Sequence, residues 1–256
     1  MLSRPARSAR RARTTLVLVV GVLLGAACTG ERPELAAQAE TTSSSVDGQP
    51  QGSEPIQVAQ AKGDAIDVFP DATAEAPAQQ LAASAVTSAP GIPLVLLVVQ
   101  TGDDRIEVYL PTAPAGTTGW VRRDDVSRST VGYRIEIAQS EHRIRVRDGA
   151  EVVLDEPAGL GPDRPDPSAG LFLRELVQPP DRDGPYGTYV YGLAGAPNVR
   201  DGLAEGRGVI GIHGTDDPAE IGTEMDDGSI ALSAAVLDRL VDELGLPLGT
   251  PVTILP

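Results

Sequence analysis

The stretch VIGIHGTDDPAEIGTEMDDGSIALS, Val209–Ser233, collects residue types that acyl chemistry uses. It holds His213, one of two histidines in the chain, and further on the pair Gly228-Ser229. Between them lie Asp216, Asp217, Glu220, Glu224, Asp226 and Asp227. A hydroxyl held against an imidazole can attack a carbonyl, provided the ring takes its proton in the transition state. Carboxylates close to the ring work against this, because they favour its charged form and a protonated ring is no base. The same acids are a conceivable calcium set. However, the Asp-Gly-Ser segment lacks calcium-loop spacing, so no metal and no cofactor are expected. If no chemistry occurs here, His213 is a strand-end histidine bonded to backbone and Ser229 a small residue in a turn before a helix.

The surrounding pattern must position these groups. GRGVIGIHGT reads as an apolar strand that delivers His213. After Ser229, the stripe Leu232, Val236, Leu237, Leu240, Val241 and Leu244 predicts a helix. Ser233 is its N-cap, Gly245 its stop, and Pro247 follows. Upstream, YRIEIAQS alternates, and HRIRVRDGAEVVLD predicts a hairpin turning at Asp148-Gly149. His142 is expected exposed at the start of that strand. GTPVTILP is expected to be the last strand. Further back, PLVLLVVQ is a short buried strand. DRIEVYL puts Ile106, Val108 and Leu110 on one face. The sole Trp, Trp120 in GTTGWVRRDDV, is expected to pack a small core.

The first residues are of another kind. Arg4, Arg7, Arg10, Arg11 and Arg13 precede an uncharged apolar run, Leu16 to Ala27, too short to span a bilayer comfortably. Small residues then lead to Cys28, the only cysteine. This is the form of a secretory signal, residues 1–28. A lone cysteine makes no internal disulfide. LLGAAC resembles a bacterial lipobox, which implies lipidation of Cys28, although Gly25 stands where a large apolar residue is usual. An ordinary cleaved signal is the alternative. Residues 29–60, rich in Ser, Thr, Gln, Glu, Ala and Pro, have the composition of a disordered tether. Beyond the signal, 16 basic side chains face 36 acidic ones. That balance excludes nucleic acid as a partner, since such binding needs clustered Lys and Arg.

Residues 61–128 resemble a small Src-homology-type bacterial β-barrel, on the Gly-Trp-Val strand and the acidic turn after it. Residues 131–256 resemble the L,D-transpeptidase (YkuD) catalytic domain. The resemblance rests on the opening hairpin, on DPSAG, PYGTYVYGL and IGIHGTDDPAEIG, and on the closing GTPVTI. It implies a mainly β fold, an L,D-transpeptidase-like β-sandwich with one clear helix, preceded by the small β-barrel. It also implies a peptidoglycan acyltransfer site with His213 as general base. The family's Ser-His-Gly-Cys-Ile-Arg block falls on DDGSIA. Asp226 stands for Ser, Asp227 for the second His, Ser229 for the nucleophilic Cys and Ala231 for Arg, while Gly228 and Ile230 match. Thr223 also replaces a common Arg. The candidate site is therefore Ser229, His213, Gly228 and Asp227, with backbone N–H groups around Gly228 and Ser229 as an oxyanion hole. Loss of one such donor costs about 3–4 kcal/mol, and nearby acids would oppose the same charge. The resulting expectation is an exported cell-wall protein that binds peptidoglycan stem peptides without efficient catalysis. It would meet the membrane only through a lipid anchor at Cys28. The alternative is an active transpeptidase or carboxypeptidase using a Ser229–His213 pair.

Overall fold

A computed structural model describes residues 55–112, 114–161, 170–182, 184–196, 211–225 and 228–256. The expected signal, Cys28 and most of the expected tether lie outside the described residues, as do Asp226 and Asp227. The described residues are mainly β, with one α-helix among them. No described helix is long and apolar enough to cross a membrane.

The N-terminal unit is a five-stranded antiparallel sheet plus a hairpin. Its strands are β1 (Ile56–Ala61), β4 (Val95–Thr101), β5 (Arg105–Tyr109), β6 (Thr118–Arg122) and β7 (Val126–Val131), in the order β6-β5-β4-β1-β7. The hairpin pairs β2 (Ala65–Val68) with β3 (Gln79–Ala82), and a Phe69–Trp120 bridge ties it to β6. The first strand starts inside the segment expected to be tether. The cause is local: Gln and Ala dominate IQVAQA, and only Ile56 and Val58 carry strong apolar signal. The run VLLVV, Val95 to Val99, is apolar throughout because this part of β4 is covered on both faces. Leu96 and Val98 face the unit's own core, while Val95 and Leu97 face the C-terminal sheet. Trp120 is only half-buried. Its strand turns Gly119 and Val121 inward, so the core is filled by Ile106, Val108, Leu110 and Val121 rather than by the indole.

The C-terminal unit is a nine-stranded sheet. Its strands are β8 (Tyr133–Ala138), β9 (Arg143–Asp148), β10 (Glu151–Pro157), β11 (Gly159–Leu160), β12 (Leu171–Val177), β13 (Val190–Leu193), β14 (Gly211–Thr215), β15 (Ile230–Ser233) and β16 (Pro251–Leu255). Their order is β10-β9-β8-β16-β12-β13-β14-β15-β11. All nine contribute to one apolar cluster, from Leu154 at one edge to Leu160 at the other, so the sheet must curl around it. The helix α1 (Ala234–Asp238) closes that core with Val236 and Leu237 and runs on as a wider π-type turn, Arg239–Glu243. Ser233 caps it as expected, accepting from the Val236 N–H at 3.4 Å. Leu232 is not helical. It belongs to β15, where parallel pairing with β14 captures it. The β9–β10 turn is also one residue later than expected. Asp148 pairs with Glu151, leaving Gly149-Ala150 as the loop, and Gly149 alone takes positive φ, as a type II′ turn requires. His142 lies half-buried in the turn before β9, with φ +50, rather than exposed.

The two units meet through Ile56, Val58, Val95, Leu97 and Tyr109 on one side and Phe172 and Ala194 on the other. Contact is close enough to need glycine. A Cβ on Gly170 would lie 2.4 Å from the Tyr109 ring, and one on Gly195 would lie 2.4 Å from the Ala115 Cβ.

Candidate functional site

His213 reaches its place because β14 alternates. Ile212 enters the core and His213 points to the other face. Facing pairs across the sheet share a face, so one row on that side reads Val177, Val190, His213, Ala231. The β14–β15 register pairs Ile212 with Ile230. Continued back by one residue, it sets Ser229 beside Gly211, on the same face as His213. A strand spacing of about 4.8 Å and a two-residue rise of about 6.6 Å put their Cα atoms about 8 Å apart. Sixteen residues of sequence are thus closed into one diagonal step. Ser229 is fully buried and His213 is 2% exposed. The Ser229 carbonyl accepts from the Gly161 N–H at 3.1 Å, and β11 pairs with the following residues.

The Gly214 carbonyl and Tyr186 are neighbours that hold the imidazole. Its Nδ1 lies 3.0 Å from the Gly214 carbonyl oxygen. A carbonyl only accepts, so Nδ1 carries the proton and the lone pair of the neutral ring is on Nε2. Tyr186 meets the ring edge-on, with centroids 5.1 Å apart and planes at 78°. The Tyr186 carbonyl in turn accepts from the Gly214 N–H at 3.2 Å. Tyr186, with Val177 and Val190, forms a small apolar group separate from the main core. Nothing in the local pattern ties Tyr186 to a histidine so far along the chain.

Asp216, Asp217 and Glu224 are exposed and Glu220 is half-buried. Asp217 caps its own turn, its Oδ1 accepting from the Ala219 N–H at 2.9 Å. Gly228 is half-buried just ahead of Ser229, and Asp227 lies outside the described residues. Among the described residues, no group of three His, Cys, Asp or Glu side chains is placed to hold a metal ion. What the arrangement offers is an imidazole oriented by the Gly214 carbonyl, and a buried serine near it in the strand register.

No family model and no curated protein matches the chain. Among solved structures, an L,D-transpeptidase from Xylanimonas cellulosilytica DSM 15894 matches with a TM-score of 0.35 and 17% identity over 49% of this chain and 61% of that one. Bd1075 of Bdellovibrio bacteriovorus gives 0.34 and 23% over 48% and 47%. L,D-transpeptidase 1 of Mycobacterium tuberculosis gives 0.35 and 16% over 54% and 78%. The chain thus spans less than two thirds of the first two. TM-scores this low carry no functional weight, which has to come from the residues themselves.

Proposed function

We propose that this is an exported cell-wall protein whose residues 131–256 form an L,D-transpeptidase-like domain that binds peptidoglycan stem peptides without efficient acyl transfer. Residues 1–28 act as its signal, Cys28 carries a lipid anchor, and the tether leads to a Src-homology-type unit. The observation that supports the reading is a buried serine, Ser229, where the resembled family has a thiol, in a chain whose His213 imidazole is oriented by the Gly214 carbonyl. A thiol ionises near pH 8.5. A serine hydroxyl gives no useful anion near neutrality, so a site shaped around thiolate and imidazolium loses its nucleophile when Ser replaces Cys. A second reading, acyl transfer by Ser229 with His213 as base, is favoured by the Nδ1 bond to Gly214, which leaves Nε2 free of its proton in the neutral ring.

Intact-mass spectrometry of the chain lacking residues 1–28, incubated with tetrapeptide stems, separates the two. An acyl-tripeptide adduct on Ser229→Cys but not on the wild type supports recognition without transfer. An adduct on the wild type that Ser229→Ala abolishes supports the second reading. No adduct on any form, with no binding by titration, refutes both.

A further inference from the structure

Arg174 and Glu175 are adjacent in β12, yet both are buried, at 2% and 0% exposed. Successive strand residues ordinarily point to opposite faces. Here the register slips: Leu173 faces Leu193 and Glu175 faces Gly192, so Arg174 is the extra residue of a β-bulge. Arg174 donates from Nη2 to Glu175 Oε1 at 2.7 Å and from Nη1 to the Ala196 carbonyl at 2.6 Å. Glu175 Oε2 accepts from the Ser88 backbone N–H at 2.6 Å. Ser88 belongs to the N-terminal unit, 87 residues back in sequence. One carboxylate therefore joins the two units.

Adhesion does not require it. The units already share an apolar interface, and burying an ion pair commonly costs more than the attraction returns. What a buried charged bond does supply is a fixed direction. Glu175 lies opposite Gly192, and Gly192 opposite Gly211. The continued β14–β15 register places Ser229 next in that row. Three strand spacings put Glu175 about 14 Å from Ser229. The two residues between are glycines, with no side chains to absorb a displacement, so a shift of β12 is passed on through the backbone ladder. We propose that Glu175 is a positioning residue: through Ser88 it pins the N-terminal unit to the strand row that carries Ser229, and so sets the geometry around His213.

The test needs no substrate and is independent of the function proposed above. With only two histidines in the chain, imidazole ¹H–¹⁵N spectra give one set of lines for His213 and one for His142. Three variants of the chain lacking residues 1–28 are compared with the parent. Ser88→Pro removes the N–H donor, Glu175→Gln keeps the shape but removes the charge, and Ser88→Ala keeps the N–H. The expected result is that Ser88→Pro and Glu175→Gln move the His213 lines beyond the parent line width, while His142 stays in place and Ser88→Ala changes neither. Unmoved His213 lines in a variant with a dispersed amide spectrum would overturn the proposal. So would equal movement of both histidines. If one variant fails to fold, the other is read. Failure of both would assign the bond to global stability and also overturn a positioning role.

Discussion

Gly195→Ala tests the contact between the units most directly. Gly195 has φ +77, and a Cβ there would stand 2.4 Å from the Ala115 Cβ, 2.6 Å from its Cα and 2.9 Å from its N. Two costs follow. Left-handed backbone costs an alanine about 1–2 kcal/mol. Forcing a methyl into a filled interface costs about 1–3 kcal/mol more. Gly222 separates them, because its φ is +76 but, among the described residues, nothing lies within 4 Å of the added Cβ. Gly222→Ala should therefore carry the backbone cost alone. At about 3 °C per kcal/mol for a chain of this size, melting should fall by about 4 °C for Gly222→Ala and about 10 °C for Gly195→Ala. Scanning calorimetry on the two variants and the parent reads both shifts. Equal losses would show that Ala115 does not press on Gly195, and the close seating of the two units would have to be abandoned.

Further outcomes follow from the buried polar groups. Burial, with the charge of Asp242 adding to it, pushes Tyr191 up to about 12 from 10.0. Folding thus favours the protonated phenol. The unfolded chain releases this proton first, so stability is unaffected below pH 10 and falls as pH rises from 10 to about 12. Tyr191→Phe should remove that part of the alkaline slope, seen by urea unfolding near pH 8 and near pH 11. It should cost under about 1 kcal/mol at neutrality, since the hydroxyl reaches the Leu246 carbonyl only at 3.3 Å. For the Arg174–Glu175 pair, Glu175→Leu or Arg174→Met should each cost about 3–5 kcal/mol by leaving one buried charge. The double variant Arg174→Met/Glu175→Leu should cost no more than either single change. Strict additivity in urea unfolding would show that the two do not act as a pair.

Much of the fold was legible because it is local. Alternation in YRIEIA and RIEVY gave β8 and β5, and the His-Gly-Thr segment gave the strand that carries His213. Ser233 and Gly245 gave the ends of the helical segment. The errors have local causes too. Short Gln and Ala side chains hid β1, and Leu232 fitted a helical stripe equally well until a parallel neighbour claimed it. Trp120 looked like core because it is large, but strand parity gave the inward places to Gly119 and Val121. Of the acids after His213, Asp216, Asp217 and Glu224 are exposed and Glu220 is half-buried, an exposure that sequence nearness to the ring does not reveal.

By itself the sequence determined the residue types: an imidazole, a hydroxyl where the resembled family has a thiol, an acidic surface and a strand-rich pattern. Periodicity and capping are short-range, and a few neighbouring residues suffice to express them. Only the tertiary structure decided which groups meet. Parallel pairing of β14 with β15 sets His213 beside Ala231, two residues from Ser229, the Gly214 carbonyl selects the ring tautomer, and Tyr186 closes on the ring edge. A one-residue bulge turns Arg174 and Glu175 inward to reach Ser88. Such contacts depend on register between distant strands, where a slip of one residue reverses every side chain, and no local pattern encodes that choice.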